Sequence, residues 1–193
     1  MIASNASILA RTTLSLLTMA LLSATPALCA APECVALNNQ GVIAINKKHW
    51  QAAVEALTEA LARDHSYTKA QWNLSLALQG RAVELMQNKN YNAALSDLHK
   101  AYYLDVHLGA RDANGSAAKH IHEAIKAMGK DPDIAASHTE LAESYLKENN
   151  LVGACAEFSL AYNLNGDKAI QDKLNETIKK LEASKDPLFG TQN

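Results

Sequence analysis

Three segments of the chain carry the same arrangement of apolar positions. Each starts with a large apolar residue followed by side chains at +3, +4, +7, +10 and +11, with Ala at +3 and +10 every time. They are Trp50, Ala53, Val54, Leu57, Ala60, Leu61; Tyr91, Ala94, Leu95, Leu98, Ala101, Tyr102; and Leu151, Ala154, Cys155, Phe158, Ala161, Tyr162. Those offsets fall on one stripe of an α-helix. The paired alanines leave two shallow places where another helix can approach closely. A polar turn precedes each stripe: Asn46-Lys47-Lys48-His49, Gln87-Asn88-Lys89-Asn90 and Lys147-Glu148-Asn149-Asn150. Upstream of each turn stands a second apolar pattern, with small Gly41, Ala82 and Ala142 and apolar Ile45, Met86 and Leu146 at matching offsets. The unit is therefore helix, short turn, helix, and so short a turn makes the two helices pack antiparallel. Copies of one such unit imply an all-α helical repeat.

The three copies resemble tetratricopeptide repeats, hairpins of about 34 residues. That family places a small residue in the first helix, then an aromatic or Leu, Ala, an aromatic or Leu, and Ala along the second. Gly41, Trp50, Ala53, Leu57 and Ala60 fit this order, as do Ala82, Tyr91, Ala94, Leu98 and Ala101, and Ala142, Leu151, Ala154, Phe158 and Ala161. The hairpins cover about residues 34–67, 68–108 and 132–166. The resemblance implies a solenoid of about eight helices over residues 32–187: three hairpins and two further helices.

Departures from a regular array are readable too. The helix before the second turn, from Thr68 to about Met86, is two turns too long. Extra helices are expected at about 116–128, with Ser116 placed to cap the first, and at about 167–183. Ile121, Ile125 and Met128 in one match Leu174, Ile178 and Leu181 in the other, and Pro132 and Pro187 stop both. Residues 68–132 and 133–187 thus read as two related three-helix blocks behind one extra hairpin. The last helix, polar on its outer side, reads as a cap, and residues 188–193 as a disordered tail.

The first 31 residues stand outside this pattern. Arg11 precedes an apolar run from Thr12 to Leu22, Pro26 breaks it, and the small residues of Ala27-Leu28-Cys29-Ala30-Ala31 follow. This is the layout of a signal peptide, with cleavage after Cys29 or Ala31, and it implies a periplasmic or secreted chain. The alternative is a retained leader that anchors the chain in a membrane. Past residue 31 no segment is apolar enough to span a bilayer, so no membrane contact is expected of the mature chain.

Composition narrows the function. Apolar residues make up 48% of the chain and aromatic residues 5%, which favours helices over a sheet sandwich. The formal charge of −2, without a run of Lys or Arg, disfavours nucleic acid as a partner. Of the two cysteines beyond the leader, Cys155 takes a stripe position and reads as a small buried hydrophobe, and neither it nor Cys34 has a partner at metal-ligand spacing. His120 and His122, two apart, point in different directions on a helix, and His99 and His107 flank a helix end. No metal, cofactor or catalytic constellation is expected, so the chain reads as a binding protein and not an enzyme.

The family resemblance implies a concave groove lined by the first helix of each hairpin, where an Asn often holds the backbone of a bound peptide. Asn39 and Asn73 take that place here, with Asn38, Val42, Ile45, Asn46, Lys69 and Leu76 around them. An amide both donates and accepts, so it can hold an extended strand of any sequence. The third copy has Glu140 instead. The carboxylate clamp of chaperone-binding members is not reproduced, because Val42 stands where its second Asn would be. Trp72 is read as a core residue of the long helix, or else as an exposed anchor for a partner. The expected partner is a protein or peptide held by a non-enzymatic adaptor or assembly factor. The rival reading is a carrier of a small apolar ligand or lipid in an inner channel.

Overall fold

Eight α-helices follow one another in a computed structural model of the chain, which describes residues 31–107, 115–184, 186 and 188–189. They are α1 (Pro32–Asn46), α2 (Trp50–Arg63), α3 (Thr68–Gln87), α4 (Tyr91–His107), α5 (Ser116–Ala127), α6 (Ala135–Lys147), α7 (Leu151–Asn165) and α8 (Lys168–Glu182). Among the described residues there is no strand. Residues 1–30 of the expected leader (1–31), Pro187 and the expected tail beyond Phe189 lie outside the described residues.

The three polar turns are one structure repeated. Lys48, Lys89 and Asn149 hold φ of 57°, 59° and 57°, in the left-handed region. The amide after each reaches back over the helix end: His49 to Ala44 at 2.9 Å, Asn90 to Leu85 at 2.9 Å, Asn150 to Tyr145 at 2.8 Å. The left-handed residue itself donates to Ile45, Met86 or Leu146. These paired bonds are a Schellman closure, which satisfies carbonyls the helix leaves open. Each closure turns the chain straight into the next helix. Asn150 further accepts from the amide of Gly153 at 3.0 Å, capping α7.

The stripes meet as their spacing requires. Ala53, Ala60, Ala94, Ala101, Ala154 and Ala161 are all fully buried, as are Leu57, Leu98, Phe158, Ala82 and Ala142. A Cβ on Gly41 would lie 2.4 Å from Cγ of Leu57, so α1 and α2 touch backbone to side chain there. Helix pairs α1 with α2, α3 with α4 and α6 with α7 form the hairpins. The first two stack through α2 on α3 and α1 on α3. Helix α5 then packs on both α3 and α4, the place the first helix of a next hairpin would take. The third hairpin joins through the second helices, α4 against α7, and α8 packs on α7. With α8 the third hairpin keeps a small separate core from Ala142, Ala154, Phe158, Ala161 and Ile170.

The two three-helix blocks differ in one respect. In the first, α5 packs on α3; in the second, α6 and α8 face each other across a cleft of about 490 Å³. Glu140, Glu143, Asp167 and Lys173 line that cleft, and Lys173 bridges it to Glu143 at 2.6 Å.

Three local expectations are corrected. Ser116 does not cap α5: Gly115 is the cap residue, and the Ser116 hydroxyl donates instead to Gln79 Oε1 on α3. Met128 does not continue the apolar stripe of α5, because the helix ends at Ala127 and Met128 is exposed. The start of the tail is held. Asp186 Oδ1 accepts from the amides of Leu188 and Phe189 at 2.8 and 3.0 Å, and this turn buries Phe189 edge-on against Tyr103, 5.0 Å between ring centres.

Candidate recognition face on α1 and α3

Helices α1 and α3 run parallel, with α2 returning between them. Asn73 Nδ2 donates to Asn38 Oδ1 at 2.8 Å, so these two residues mark the line where the helices face each other. Successive helical residues turn about 100° around the axis. Gly41 and its contact with Leu57 put α2 on one side of that line. Asn39, Val42 and Asn46 of α1 then fall on the opposite side, together with Lys69, Trp72 and Leu76 of α3.

Exposure follows this division. Asn39, Asn46 and Lys69 are exposed and Val42 is half-buried. Leu76 is 52% exposed and Trp72 65% exposed, an indole and an isobutyl group one turn apart. Two of the residues drawn from the sequence serve another purpose. Asn38 is only 5% exposed, its amide spent on Asn73, and Ile45 packs against the core. Trp72 is not a core residue of the long helix. The buried face of α3 is already filled by Ala70, Leu74, Ala77, Leu78 and Ala82, which leaves the indole outside.

Two ionic groups, one partly exposed and one fully buried, tie helices together elsewhere in the fold. Arg81 of α3 donates from Nε and Nη2 to the two carboxylate oxygens of Asp97 on α4, both at 2.7 Å, and from Nη1 to Gln51 Oε1 on α2 at 2.5 Å. The hydrogen bond to Asp97 raises Arg81 above its ordinary pKa. The guanidinium thus ties α3 to both α4 and α2.

The second group sits at the joint of the second and third hairpins. Glu157 of α7 is fully buried, with His99 Nε2 of α4 at 2.6 Å from Oε1 and His138 Nδ1 of α6 at 2.5 Å from Oε2. The other nitrogen of His138 lies 2.8 Å from the Pro132 carbonyl oxygen. Burial pushes the Glu157 carboxyl up, but the hydrogen bonds from His138 and His99 outweigh it and hold the group below its usual range. Burial pulls His138 down, yet its hydrogen bond to and attraction by Glu157 leave it raised. Neither group was read from the sequence. The signal was present: Glu157 is the one acidic residue within the buried run Val152–Phe158, and a carboxylate there requires donors from neighbouring helices.

Burial pushes the Cys155 thiol up to about 12, as its stripe position implies, and Cys34 and Cys155 are both free. Among the described residues no three His, Cys, Asp or Glu side chains stand where they would hold a metal ion, and no helix is long and apolar enough to cross a membrane. Compared with known proteins, the chain matches no family model, and no curated protein is detectably similar to it in sequence.

Proposed function

We propose that the chain is an exported, non-catalytic scaffold of tetratricopeptide type that holds an extended peptide or protein segment against the α1/α3 face. The observation that carries this reading is Trp72, 65% exposed beside Leu76 on a helix whose opposite face is buried. A solvent-facing indole with an aliphatic neighbour is the usual core of a recognition surface. Asn39 across from them supplies a donor and an acceptor for a passing backbone. The face is built on two packed helices and not on a loop, so it needs no ordering before binding.

Selection of displayed peptides on the full chain tests this. The selected peptides should lose most of their affinity when Asn39→Ala and Trp72→Ala are combined, with the melting temperature nearly unchanged. Undiminished binding by that double variant would remove the face from the account. Export is read separately, from the mass of the chain in the exported fraction: the expected product starts after Cys29 or Ala31, and a full-length chain confined to the cytosol contradicts it.

A further inference from the structure

We infer that His138, Glu157 and His99 form a proton-operated latch at the joint of the second and third hairpins that fastens α6 onto α7, closed while His138 holds two ring protons and loosened when one leaves. The hydrogen-bond pattern fixes the proton count. The Pro132 carbonyl can only accept, so His138 Nε2 carries a proton. A second proton lies between His138 Nδ1 and Glu157 Oε2, and Oε1 accepts from His99 Nε2. His99 Nδ1 has no partner among the described residues, so a single ring proton satisfies that residue. The three groups together are then neutral, a fit condition for a site with essentially no solvent exposure.

Remove one proton and the pattern cannot close. His138 keeps one N–H and must give up either the Pro132 carbonyl or Glu157. In the first case an Nε2 lone pair faces the Pro132 carbonyl oxygen at 2.8 Å and the turn before α6 is repelled. In the second Glu157 is left as a buried anion with one donor in place of two, and α6 loses its polar tie to α7. The surrounding groups favour the closed state only in part. Asp133, in the turn before α6, attracts the His138 charge. His122 of α5 lies 5.6 Å from His138, ring to ring, and within 3.8 Å of Asp133. Tyr102 of α4 and Tyr145 of α6 present phenols, Tyr145 edge-on to His99, and α8 presents Lys173 above Phe158.

The sign follows from linkage. A group raised in the folded state gives its full stabilisation below its ordinary value, 6.5 for His138, and loses it as pH rises through the folded value. Hydrogen exchange on the full chain reads this directly. Protection factors of α6 amides should fall by up to about tenfold per pH unit across that interval, the response of one linked proton. Those of α2 should stay level. His138→Gln, which cannot titrate, should abolish the slope, and His49→Gln on an exposed turn should keep it. An α6 response no steeper than that of α2, or an equal slope in His138→Gln, overturns the latch. Should His138→Gln fail to fold, ring nitrogen spectra of the unaltered chain at pH 7 decide. Two protonated nitrogens on His138 are expected, and one protonated nitrogen overturns it.

Discussion

Lys48, Lys89 and Asn149 hold a left-handed backbone that costs an L-residue roughly 1–2 kcal/mol and costs glycine nothing sterically. Gly129, after α5, closes the same kind of turn at φ 79° with the residue that fits it best. Lys89→Gly should therefore stabilise the chain by roughly 0.5–1 kcal/mol, the strain relieved less the added unfolded-state entropy, in urea unfolding. A loss of stability would mean the Lys89 side chain does something beyond tolerating its turn. Glu157 sits at the opposite extreme. Glu157→Ala should cost about 3–5 kcal/mol, because it leaves a buried imidazolium without its counter-charge. A cost below about 1 kcal/mol would show that His138 is neutral in the fold. The turns were legible as polar four-residue breaks, but the partners of Glu157 were not. His99, His138 and Glu157 lie on three helices up to 58 residues apart, and no local spacing brings them together.

Between elements, the fit of hairpin to hairpin rests on small residues. Gly41→Ala raises helix propensity, yet its Cβ would stand 2.4 Å from Cγ of a fully buried Leu57. The expected outcome is a net loss of roughly 1–3 kcal/mol by overpacking, and a gain would contradict the close approach of α1 and α2. Ala94→Leu should behave alike at the α3/α4 seam, where Ala94 is fully buried. These positions were readable from sequence because a helix repeats its contact face at fixed offsets. Pairing within each hairpin was readable too, since a four-residue turn leaves one geometry. The order of stacking was not. The third hairpin meets the second through α4 and α7, and α5 stands where its first helix was expected. That choice depends on surface fit between non-adjacent helices. Trp72 was ambiguous for a related reason: an indole in a long helix reads as core until the α3 face toward α2 and α4 is seen to be full.

At the scale of the molecule, the first hairpin and α3 form one continuous face, and the account turns on that face being where a partner is held. The Asn38–Asn73 bond makes Asn73→Ala an impure probe. It strands a buried amide and should cost about 1 kcal/mol of stability whatever it does to binding. Asn39 and Trp72, exposed and outside that tie, are clean probes. The chain has two tryptophans, so Trp50→Phe leaves Trp72 as the sole indole reporter. Its fluorescence with a selected peptide measures the central claim directly. The account predicts a blue shift and loss of acrylamide quenching on binding, with a midpoint equal to the affinity measured independently. Saturating peptide that leaves Trp72 emission and quenching as they are in the free chain would contradict it.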